Sequence, residues 1–110
     1  MNQNSQASKT NTPIERLGAA QTARLLNRRE ISAEQVTRAC LDRIQEREPT
    51  VQAWTALRAD GALAQARQLD RGPIQGLLHG LTLGIKDIFD TADLPTGCGS
   101  PIYAGYQPRV

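Results

Sequence analysis

The chain has 110 residues, enough for one domain burying about two thirds of its unfolded surface. With 39% apolar and 22% charged residues it suits a globular protein and excludes wholesale disorder, a collagen-like repeat and a disulfide-dense scaffold. The net charge is only +2, the arginines are interspersed with carboxylates and aromatics make up 4%, so direct nucleic-acid binding is not expected.

Residues 1–12 are predicted to be a disordered polar tail, because Met1 to Asn11 carry too little apolar surface to offset their ordering entropy. The same stretch lacks the apolar centre of a signal peptide, and no apolar run approaches the roughly 18 residues of a membrane span. Thr12-Pro13-Ile14-Glu15 offers a hydroxyl cap, proline at the first helical position and glutamate three residues on. This predicts a helix from there to about Asn27–Glu30, with Ile14, Leu17, Ala20 and Leu25 towards one side.

A second helix is predicted from Ser32, where Ser32 and Gln35 form a capping box and Val36, Cys40 and Ile44 follow at four-residue intervals. Pro49 is expected to end it. Val51 to Leu57 reads as a short strand, and Asp60 as the cap of a third helix through Leu69, with small residues at Ala62, Ala64 and Ala66 and a break at Gly72-Pro73. Beyond Gly76 glycines recur, and Leu81, Leu83 and Ile85 alternate as in a half-buried strand. Helices followed by one convincing strand imply an α/β fold that is incomplete, since a single strand has no ladder to join. The chain is therefore expected to be truncated.

Cys40 and Cys98 show neither metal-ligand spacing nor a secreted framework, which points to reduced thiols, a cytoplasmic location and no metal. Of 13 basic side chains only Lys9 and Lys86 are lysines. Lys86 sits in Leu78-His79-Gly80-Leu81-Thr82-Leu83-Gly84-Ile85-Lys86-Asp87; on a strand it would share a face with Gly84, which leaves room beside it for a backbone or a ligand. A lysine, unlike an arginine, can be tuned by burial into a base or a nucleophile. Asp87 would lie on the opposite face and brace the following loop. His79, the lone histidine, reads as structural.

This run, with Val51-Gln52-Ala53-Trp54, Leu69-Asp70, Leu94-Pro95-Thr96 and Gly99 to Gly105, resembles the amidase-signature family across residues 13–110. Leu77 and Thr82 depart from it, since many relatives have proline at both places. The resemblance implies the amino-terminal helices and first core strand or strands of a mixed-sheet α/β domain. It also implies a Ser-Ser-Lys triad in which Lys86 is the base, a bridging serine relays the proton, a second serine attacks an amide carbonyl, and no cofactor takes part.

The two serines of that family lie in a Gly/Ser-rich segment downstream. Here the serines are Ser5, Ser8, Ser32 and Ser100, none in such a segment, so the 110-residue chain is expected to be inactive alone. The resemblance implies a small amide as substrate, while a homo-oligomer or a partner chain stays open. Two alternatives stand beside this reading. One is a non-catalytic helical assembly or binding module; the other is the A-type component of a tRNA-dependent amidotransferase, a branch of the same family.

Overall fold

Ser32 and Gln35 satisfy each other as their spacing predicts. In the computed structural model, which describes residues 12–103 and 105–108, Ser32 Oγ accepts from the Gln35 N–H at 3.0 Å and Gln35 Oε1 accepts from the Ser32 N–H at 2.8 Å. The tail expected over residues 1–12 falls outside the described residues except for Thr12.

Three α-helices follow one another: α1 (Ala19–Asn27), α2 (Ala33–Val51) and α3 (Ala59–Arg71), with 3-10 turns at Ile14–Arg16 and Pro101–Tyr103. The helix expected from Thr12 to about Asn27–Glu30 is present over Ala19–Asn27, as α1, while its start is only the first 3-10 turn. Leu17 and Gly18 are both extended, and α1 begins after Gly18 without a side-chain cap. Pro49 does not end α2 either, for it lies inside the last turn, and the helix closes on Gln52 in the left-handed region with its N–H bonded to Glu48 O at 2.8 Å. A proline this close to the end disturbs little helix beyond itself. The third helix starts just before Asp60, places that carboxylate in its first turn, and runs two residues past Leu69 to Gly72.

The described residues form two compact units, one from 12–52 with Arg58–Thr82, the other from Ala53–Leu57 with 83–103 and 105–108. In the first, Leu26, Ala33, Val36 and Ala66 make a small core onto which Ile14, Ile31, Leu69 and Leu81 pack. Ala66 is the alanine of α3 that is buried, while Ala64 is exposed. Gly80, at φ +85°, brings its backbone against Leu26 and Ala33, so close that a Cβ there would lie 3.0 Å from a Leu26 methyl.

The helix ends in this unit cap one another. Asp70, in the last turn of α3, accepts from the N–H groups of Ala33 at 2.7 Å and Glu34 at 3.0 Å, two donors of the first turn of α2 with no partner inside the helix. Arg29 in turn caps α3, donating to Gly72 O at 2.7 Å and Asp70 O at 3.3 Å. Its own backbone, at φ +55°, ends α1 in a Schellman turn, with Arg29 N–H on Leu26 O and Glu30 N–H on Leu25 O. Glycine usually fills that place.

Among its described residues the second unit holds no helix longer than the 3-10 turn. Among the described residues no strand forms anywhere: the α/β expectation is met only in its helices, and both Val51–Leu57 and Leu81–Ile85 lack a ladder. A strand exists only through hydrogen bonds to a second one, and the described residues supply none. The two-faced pattern fails with it. Leu81 packs on the core, but Leu83 and Ile85 are exposed, as are Thr82 and Lys86.

Candidate active site

Lys86 lies where an irregular segment turns into a short loop, and its carbonyl accepts from the N–H groups of Ile88 at 2.8 Å and Phe89 at 3.1 Å. The lysine side chain is exposed, with no hydrogen-bond or ion-pair partner among the described residues. A dry enclosure for the amine is thus not furnished by the described residues.

The neighbouring Asp87 is tied down. Its Oδ1 accepts from the Gly97 N–H at 2.7 Å and its carbonyl from the Cys98 N–H at 2.8 Å, so one residue holds the loop at two consecutive amides. Asp87 braces the following loop as expected, though from an irregular segment and not from a strand. Cys98 takes φ +54° to present its N–H, and a Cβ on Gly97 would stand 3.1 Å from Asp87 Oδ2. Nothing local in Thr96-Gly97-Cys98 announces a partner ten residues earlier, so this bracket is visible only in three dimensions.

Further bonds close the loop inside that bracket. Thr96, at 2% exposure the most buried side chain of the segment, donates its hydroxyl to Phe89 O at 3.1 Å while its N–H bonds Tyr106 O at 2.8 Å. Thr91 Oγ1 donates to Leu94 O at 3.1 Å, and Gln107 Nε2 reaches Ala92 O and Leu94 O. The space expected beside Gly84 is occupied by Trp54, whose ring edge would meet a Cβ there at 3.2 Å. The sequence showed the room but not the indole that fills it.

Ser100 sits in a turn, with its Oγ accepting from the Ile102 N–H at 3.2 Å and its N–H bonded to Gly97 O at 2.9 Å. No bond joins it to Lys86 among the described residues. His79 is buried in the first unit, where Nδ1 accepts from the Gln75 N–H at 3.2 Å and its own N–H bonds Gly76 O, a structural turn rather than a reacting group. No three His, Cys, Asp or Glu side chains among the described residues gather where they would hold a metal, and no helix among them is long and apolar enough to cross a membrane.

Comparison with known proteins fixes the class. A family profile described as Amidase matches residues 35–110, and the chain belongs to that family. It is 46% identical over 94 residues to the A-type subunit of glutamyl-tRNA(Gln) amidotransferase from Acidothermus cellulolyticus, covering 82% of this chain and 19% of that one. The protein of the same name from Mycobacterium tuberculosis is 40% identical over 101 residues, 87% of this chain and 20% of its own. A Mycobacterium bovis protein that carries an amidase name, AmiD, is 33% identical over 99 residues, 86% of this chain and 21% of its own. The chain thus spans about a fifth of the length of these curated relatives. No solved structure matches it.

Proposed function

We propose that this chain provides the amino-terminal segment of an amide-cleaving acyl-transfer enzyme in which Lys86 is the base. The observation that carries the reading is the family match through residues 35–110, which takes in Lys86 and the Asp87 bracket together. In the proposed reaction the Lys86 amine accepts the proton of a bridging serine, and that serine deprotonates the nucleophilic serine as it attacks the amide carbonyl. The carbonyl–nitrogen bond breaks, ammonia or an amine leaves with a proton, and water then splits the acyl-serine ester.

Both serines and the enclosure around the amine belong, on this reading, to residues downstream of those described. The same residues would supply the strands beside which 81–85 could enter a mixed α/β sheet. Exposed apolar side chains in the second unit, Leu83 at 80% and Ile102 at 87% among them, support a surface that further chain covers.

The test is amide hydrolysis by the product of the reading frame taken to its stop codon, with and without Lys86→Ala. Loss of nearly all turnover with an unchanged circular dichroism spectrum is the expected result; wild-type turnover in the variant would remove Lys86 from the mechanism.

A second reading is favoured by the names of the relatives at 46% and 40% identity, both A-type amidotransferase subunits, over the amidase at 33%. On it the amide is glutamine and the ammonia passes to a partner protein. Ile88-Phe89-Asp90-Thr91 after Lys86-Asp87 supports the general amidase instead, because A-type subunits commonly have asparagine directly after that pair. Turnover of glutamine against simple aliphatic and aryl amides separates the two.

A further inference from the structure

We infer that Asp87 is a positioning residue for Lys86, acting by locking the lysine's backbone to the Gly97–Cys98 turn. This rests on the reading of Lys86 as the base. The lysine's side chain has no partner among the described residues, so what these residues fix of its position is its backbone. That backbone is fixed on its carboxyl side at two levels. The Lys86 carbonyl holds Ile88 and Phe89, and the next residue anchors through a charged side-chain acceptor at 2.7 Å and a main-chain acceptor at 2.8 Å.

The two Asp87 bonds differ in what a substitution can remove. The carbonyl bond to Cys98 survives any replacement, whereas the carboxylate bond to Gly97 depends on the side chain. Asp87→Ala therefore frees one of two adjacent anchors and lets the turn swing about the other. Asp87→Asn keeps an oxygen of the same reach and loses only the charge. Gly97→Ala tests the bracket from its other side, because the added methyl meets Asp87 Oδ2 at 3.1 Å and Gly97 is not in the left-handed region.

Misplacing a reacting group by about 1 Å costs on the order of 10²-fold in rate. In the product of the full reading frame, Asp87→Ala is expected to lower kcat by about that factor with KM changed less than about threefold, since the reacting amine moves while the substrate site does not. Asp87→Asn is expected to recover most of the loss, and Gly97→Ala to fall between them. Faster amide exchange at Gly97 in Asp87→Ala, restored in Asp87→Asn, identifies the bracket as the cause.

Wild-type kcat in Asp87→Ala, beside an inactive Lys86→Ala, would overturn the positioning role and leave the lysine in place. Wild-type turnover in Lys86→Ala would overturn the lysine reading and this inference with it. Should Asp87→Ala fail to fold, Gly97→Ala decides: an unchanged kcat in that variant rejects the inference.

Discussion

The carboxylate of Asp70 caps Ala33, reaching from the last turn of one helix to the first N–H of another at 2.7 Å, and spans to Glu34 at 3.0 Å with its second oxygen. A negative charge here also faces the positive end of the α2 dipole. Replacing Asp70 by alanine is expected to cost about 1.5–3 kcal/mol, the range for hydrogen bonds to a charged group, and Asp70→Asn less, because the amide keeps one acceptor. Urea unfolding followed by circular dichroism measures both, and equal stability of wild type and Asp70→Ala would refute the capping role.

Arg29 makes a sharper comparison possible. Its left-handed backbone costs about 1 kcal/mol in any residue but glycine, and its guanidinium compensates by holding Gly72 O and Asp70 O. Both Arg29→Ala and Arg29→Gly lose those bonds, but only glycine relieves the backbone. Arg29→Gly should therefore be more stable than Arg29→Ala by about 1 kcal/mol, in the same unfolding experiment.

Gly80 tolerates no side chain. An alanine there would combine a φ of +85° with contacts of 3.0 and 3.2 Å to Leu26 and 3.2 Å to Ala33. Strain and overpacking together predict a loss of about 2–4 kcal/mol. A thermal melt of Gly80→Ala no lower than wild type would show that the core yields there.

Glu34 gives the first unit a pH dependence. Hydrogen bonds from Arg38 and then Arg67, both to Oε2, hold its carboxyl below its ordinary value of 4.5. A depressed carboxylate contributes stability that is full above the unfolded value and lost as the pH falls through the folded one. The stability gap between wild type and Glu34→Gln should accordingly be constant above pH 4.5 and close with further acidification. A gap that widens towards acid would reverse the assignment.

How much of this was legible depended on distance along the chain. Ser32 and Gln35 are three residues apart, and the capping box formed as read. Thr12 carried the same kind of signal, yet the extended Leu17 and Gly18 interrupt the helix behind it. Asp70 follows Leu69, where the third helix was expected to end, whereas its carboxylate acts 36 and 37 residues earlier, a relation no local pattern encodes.

In the site, the residue type of Lys86 was readable from chemistry and the bracing by Asp87 was expected from a strand that does not form, while the partners Gly97 and Cys98 were not readable. The expected strand at 81–85 was read from its own pattern, but a ladder belongs to two segments, and the second is not among the described residues.

The loop after Lys86 is built as nested rings. Thr91 closes on Leu94, Phe89 on Thr96 around it, and Asp87 on Gly97 and Cys98 around both. Once an inner ring is shut, the next one out has only a few more residues to gather, at an added chain-entropy cost of about 0.3–0.8 kcal/mol. The segment can therefore zip outward from Leu94 with little apolar core to drive it. Lys86 stands one residue beyond the outermost ring and is tied to it through its own carbonyl, which Ile88 and Phe89 hold from inside.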